Sequence, residues 1–172
     1  MRREQISAAV AALDVREVES QEMAWAQLRP LGFGVVPYLL DAYSTFRTWQ
    51  GRCALMYYST RYSRQSPSAL GLGLLGLSDR SYMVRYRACG LLAYALNKEA
   101  VPALEQLAEC EGRDLVLTSA KAAMNAIKAG NHNLFVDQRL SGQSSWTVNP
   151  GDAQQPVPSR VKRLMLGIQS VN

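Results

Sequence analysis

Between Ser44 and Arg87 the sequence carries Arg47, Arg52, Arg61, Arg64, Arg80, Arg85 and Arg87 against a single acid, Asp79. That is a net +6 in one stretch, more than the +5 of the whole chain. All seven bases are arginine, and Phe46, Trp49, Tyr57, Tyr58, Tyr62, Tyr82 and Tyr86 lie among them. A guanidinium forks onto carboxylates or phosphates, while tyrosine and tryptophan supply rigid contact area. This is the chemistry of recognition rather than of bond making.

Residues for bond making are scarce. His132 is the only histidine, in a turn-like Gly130-Asn131-His132-Asn133 stretch, and one histidine without partners makes no metal site. Cys53, Cys89 and Cys110 are odd in number, too widely spaced for a zinc site, and each falls in an expected helix. They read as buried small hydrophobes in a reducing compartment. There is no glycine-rich phosphate loop, no Ser-His-Asp arrangement and no carboxylate pair in the basic stretch. Glu105, Glu109, Glu111 and Asp114 cluster about one turn and read as a solvated edge. The expectation is a non-enzyme with no cofactor, no metal and no small-molecule substrate.

The arginines and tyrosines have to be positioned by helices. In the stretch Leu77–Leu107, Val84, Ala88, Leu91, Leu92 and Ala95 recur at three- and four-residue spacing and form one helical stripe. Ser78 and Asp79 precede it as capping residues, and Asn97 closes it. Val101, Leu104, Leu107 and Ala108 begin a second stripe, with Pro102 in its first turn, where a missing N–H costs nothing. Leu77, Asp79, Val84, Arg85, Ala88, Leu91, Leu92, Ala100, Val101, Pro102, Leu104 and Leu107 together resemble the short HEAT-like, or PBS-lyase-type, helical repeat. The resemblance implies stacked helix pairs. Arg85, at the repeat's own arginine position, would brace neighbouring turns against an acid such as Asp79, and is therefore left out of the site.

Taken in order, Glu4–Leu13 and Val15–Leu28 read as an acidic-leaning N-terminal capping pair. Three helix pairs follow: Gly34–Tyr43 with Arg47–Tyr62, Pro67–Leu77 with Ser81–Leu96, and Ala100–Ala108 with Arg113–Lys128. Their second helices align at a shift of about 32 to 34 residues, which suits a short helical repeat. Gly71, Gly73 and Gly76 weaken a helix and point to close helix–helix approach. The fold expected is all-α: residues 1–130 a right-handed HEAT-like α-solenoid of about four helix pairs, residues 131–149 a β-hairpin (Leu134–Asp137 with Ser145–Val148), and residues 150–172 a flexible tail with room for one short helix over Arg160–Ile168. Nothing in the sequence is long and apolar enough for a bilayer, and the N-terminus lacks a secretory pattern, so no membrane contact and a cytoplasmic location are expected.

In a solenoid the second helices line the concave binding face. Subtracting the buried stripes leaves Trp49, Arg52, Tyr57, Arg61, Tyr82, Tyr86 and Arg87 as candidate partner-binding residues. The function expected is a protein-binding module clamping an acidic partner. Small bacterial HEAT-like proteins include assembly adaptors and immunity proteins that block a toxin effector, and the resemblance admits both. Nucleic-acid binding is the alternative, since arginine interleaved with aromatics also suits phosphates and bases. A HEAT-like DNA glycosylase is disfavoured because Trp49 has no Asp near it in the repeat pattern.

Overall fold

The structure, a computed structural model, describes residues 1–154. Apolar residues at helical spacing give α1 (Arg3–Ala11), α2 (Val18–Leu28), α3 (Val36–Ala42), α4 (Trp49–Thr60), α5 (Pro67–Gly76), α6 (Tyr82–Ala95), α7 (Val101–Cys110) and α8 (Asp114–Ala129). The six helices expected between Pro30 and Gly130 are found, each within two residues at either end. The chain is all-α among the described residues, and none of its helices is long and apolar enough to cross a membrane.

The helix ends follow local chemistry. The Thr48 hydroxyl accepts the N–H of Gly51 at 3.0 Å to open α4, and Ser66 accepts that of Ala69 at 3.3 Å to open α5. Pro67 and Pro102 occupy first turns, where no N–H is missed. Two expected caps differ. α6 starts from Ser81, whose N–H is held by the Asp79 carboxylate at 2.7 Å. It ends on Leu96 in the left-handed conformation (φ 55°), while Asn97 caps the next turn by accepting the N–H of Glu99.

α6 is the central element, packed against α4, α5 and α8. Its expected stripe of Val84, Ala88, Leu91, Leu92 and Ala95 is buried, and so are Cys89, Ala93 and Tyr94. α7 lies on α8, α3 on α5, and α1 against α2 and α3. Each fully buried leucine contributes on the order of 2 kcal/mol, so Leu91 and Leu92 alone make α6 a substantial source of core stabilisation.

No strand occurs among the described residues, so the hairpin expected over 131–149 is replaced by something else. Asn131 caps a 3-10 turn at His132–Phe135 by accepting the N–H of Asn133. Asp137 then gathers the N–H groups of Ser141 and Gly142 and the Ser141 hydroxyl. These local side-chain bonds satisfy backbone groups that a ladder would have used. The segment instead presses Phe135 and Trp146 onto α6 beside Gly90, where a Cβ would stand 3.2 Å from the Phe135 ring. The ordered path extends beyond Asn149, because Asp152 is buried in the 3-10 turn at Pro150–Gln154. The short helix expected over 160–168 lies outside the described residues.

Close approach accounts for two of the three glycines of α5. A Cβ on Gly76 would meet the Ala88 Cβ at 2.8 Å, and one on Gly73 would meet Leu91 at 2.7 Å, whereas Gly71 has nothing nearer than Leu40 at 3.9 Å. Opposite signs are therefore expected from one kind of substitution. Gly76→Ala should lower stability by about 1–3 kcal/mol through overpacking, while Gly71→Ala should raise it by up to about 1 kcal/mol through helix propensity. Denaturant melts of the two variants check both.

Candidate functional site

The arginines of the basic stretch divide into those the fold uses and those it leaves available. Arg52 is 5% exposed and forms a bidentate pair with Asp79, through Nε to Oδ2 at 2.6 Å and Nη2 to Oδ1 at 3.0 Å. Its Nη1 also donates to the carbonyls of Phe46, Arg47 and Thr48, and the Tyr43 hydroxyl donates to Asp79 at 2.6 Å. Burial pushes the Asp79 carboxyl up, but the donors from Arg52, Tyr43 and Ser81 outweigh it and hold it below the ordinary carboxylate value. Arg52 is thus a structural brace and not a partner-binding residue. The brace expected between Arg85 and Asp79 takes a different form. Arg85 pairs with Glu111 at 2.7 and 3.1 Å, and its Nη1 donates to the carbonyls of Asp79 and Arg80 rather than to the Asp79 carboxylate.

The two pairs are built alike. Arg85 stands 33 positions after Arg52, and Glu111 stands 32 after Asp79. Each acid also accepts the N–H two residues ahead of it, Ser81 for Asp79 and Arg113 for Glu111, just before the following helix. The hydrogen bond from Arg85, above all, holds the Glu111 carboxyl low.

A groove of about 390 Å³ opens where α2, α4 and α6 deliver side chains toward the segment that follows α8. α2 contributes Glu22 and Trp25, with Arg29 just past its end; α4 contributes Tyr57 and Tyr58, with Arg61 just past its end; α6 contributes Tyr86, Arg87 and Gly90. Phe135, Trp146 and Val148 complete it. Trp25 and Tyr58 stack at 4.4 Å with planes 11° apart, and the Tyr58 hydroxyl donates to Glu22 at 2.9 Å. The Arg87 guanidinium lies near both Tyr57 and Tyr86, 5.9 and 5.7 Å from the ring centroids. Among the described residues, no carboxylate forms an ion pair with Arg29, Arg61 or Arg87. The sequence beyond Asp152 contains no Asp or Glu.

The groove's far wall, residues 132–152, is tied down as a strap. Asp152 accepts the Tyr94 hydroxyl at 2.9 Å and the N–H groups of Val148 and Asn149 at 3.0 and 2.8 Å. Asn149 donates to the Arg61 carbonyl at 2.9 Å. Arg64, lying over the Tyr94 ring, approaches Asp152 at 3.6 Å and donates to His132 Nδ1 at 2.8 Å. Because arginine only donates, His132 Nδ1 accepts and its Nε2–H donates to the Trp146 carbonyl at 2.8 Å. His132 is therefore a neutral, buried strut. Burial first, and the Arg64 cation next, hold its pKa below 6.5 against the hydrogen bond to Trp146.

Of the expected partner-binding residues, Tyr57, Arg61, Tyr86 and Arg87 are brought together in the groove, and Tyr57 is 59% exposed. Trp49 and Tyr82 are exposed but line no part of it, and Arg113 lies 5.0 Å over the Tyr82 ring. No family model, curated protein or solved structure matches the chain. Trp25, Arg29, Phe135 and Trp146 are groove residues that sequence reasoning missed. Glu22 and Trp25 share one face of α2 at helical spacing, and Arg29 at its C-terminal cap continues that spacing, a signal that was present. Trp146 carried none. The cysteines are all unpaired, and only Cys89 is fully buried, with burial pushing its thiol up to about 12. Cys53 is half-buried and Cys110 exposed, so the buried reading fails for Cys110.

Arg52→Ala should cost about 3–5 kcal/mol in chemical unfolding, since it strands a buried carboxylate. Arg87→Ala should stay within about 0.5 kcal/mol. The strap should also respond to acid before the carboxylates do. With its folded-state pKa lowered, the neutral His132 ring is the form the fold stabilises. That contribution is complete above pH of about 6.5 and is lost as pH falls from there toward the folded-state value. Tryptophan fluorescence should begin to change in that window in the native protein and stay flat there in His132→Gln.

Proposed function

We propose that the chain is a HEAT-like repeat protein whose basic-aromatic groove binds an acidic protein partner. One observation carries this: three guanidinium groups, Arg29, Arg61 and Arg87, line a single aromatic groove, and none of them is paired with a carboxylate among the described residues. Arg52, Arg64 and Arg85 are all consumed by the fold, so the contrast lies within one residue type.

A right-handed solenoid is the arrangement that best suits the alternating short helices. It is supported by the repeated arginine–acid brace at 33- and 32-residue steps and by the resemblance of Leu77–Leu107 to the HEAT-like unit. In such an arrangement α2, α4 and α6 are second helices of successive pairs, and a shared groove among them lies on the inner face. Trp and Tyr anchors with unpaired arginines are what carry affinity at protein interfaces, and the charge speeds the encounter. An adaptor, or an immunity protein that occupies a cytoplasmic toxin effector, fits this reading. Glu22 inside the groove disfavours a continuous phosphate chain, which makes nucleic acid the second choice.

The test is affinity capture from native cells with the full chain, at low and high salt, beside Arg61→Glu/Arg87→Glu. The expected result is a stoichiometric protein held by the native chain at high salt and weakened at least about tenfold in the double variant. Equal capture by both would sink the groove reading. Nucleic acid that washes off steeply with salt would replace it with the alternative.

A further inference from the structure

The strap decides what kind of acidic segment the groove accepts. A groove of about 390 Å³ takes a few side chains of a segment that lies across it. Its aromatic lining is unevenly used. Trp25 and Tyr58 are stacked on each other, and Phe135 is buried against α6. Tyr57 stays open to solvent, and Trp146 is half-buried at the strap edge.

We propose that the partner presents an acidic segment carrying one aromatic side chain, whose ring seats against Tyr57, Tyr86 and Trp146 while its neighbouring carboxylates reach Arg61 and Arg87. This rests on the reading of the groove as a protein-binding site. Arg87 beside Tyr57 and Tyr86 brings a cation to the edge of the ring slot, so one ring and one carboxylate a residue apart are read together. Glu22, engaged by the Tyr58 hydroxyl, places a negative charge at the α2 side. A polyanion with a charge on every unit meets repulsion there, whereas a peptide presents uncharged backbone.

Trp146 owes its place to groups that never touch the partner. Its carbonyl is held by His132 and its N–H by Asn133, and the turn after it is closed on Asp152. Asp152 and His132 are positioning residues for the slot.

The experiment measures binding of the full chain to three labelled probes at one salt concentration: a random copolymer of glutamate and tyrosine, polyglutamate, and oligothymidylate of matched charge. The copolymer is expected to bind about tenfold more tightly than polyglutamate, the gain typical of one aromatic anchor. Trp146→Ala and Asp152→Asn are each expected to abolish that preference while leaving polyglutamate affinity and far-ultraviolet dichroism unchanged. Trp146→Ala keeps the Asp152 lock, so it decides the matter if Asp152→Asn loses structure. Equal binding of the two polypeptides, a preference that survives Trp146→Ala, or no binding of either overturns the inference. If Arg61→Glu/Arg87→Glu still loses the captured partner, the groove reading stands without it. Tighter binding of oligothymidylate overturns both.

Discussion

A carboxylate taken out of water has to be met by donors on most of its lone pairs, and Asp79 meets that demand by gathering groups from separate parts of the chain. Tyr43 comes from beyond α3, Arg52 from α4 and the Ser81 N–H from the start of α6. The same guanidinium then satisfies three carbonyls ahead of α4. One buried charge pair thereby ties α4 and the end of α3 to the start of α6. Its counterpart, Arg85 with Glu111, ties α6 in the same way to the start of α8. With those distances set, α5 can lie against α6 closely enough that Gly73 and Gly76 tolerate no side chain.

The helices were readable because their signals are local. Apolar spacing, Thr48 and Ser66 as caps, and Pro67 and Pro102 in first turns all act within a few residues. The burial of the α6 stripe followed from the same periodicity. What periodicity does not encode is which face of a charged residue's neighbourhood is solvated. Arg52 and Arg85 occupy equivalent positions, and reading Arg85 as a brace and Arg52 as available split a pair that the fold treats alike. The acid each arginine needs lies 26 or 27 residues away, beyond any local window.

The end of the chain was the least legible part. Leu134–Asp137 and Ser145–Val148 have strand-prone composition, yet the Asn131 and Asp137 side chains satisfy local N–H groups and no ladder forms. The segment's conformation is set instead by distant partners, Arg64, Tyr94 and the Arg61 carbonyl. Part of the candidate site was visible as the cluster of Tyr57, Arg61, Tyr86 and Arg87. Trp146 was invisible because its position depends on a carboxylate and a histidine that belong to no motif.

The strap is pinned on both sides of its outermost bend. Asp137 organises Ser141 and Gly142, and Trp146 is clasped by Asn133 and His132, while residues 138–145 between them face solvent. A loop with both ends tied loses entropy only as the logarithm of its length, about 0.6 kcal/mol for each doubling. Insertions or deletions between those two clasps therefore cost the fold little while reshaping the lip beside Trp146. The same helical frame can accept rims of different length there, and evolution is free to retune what passes over them without disturbing a single buried charge.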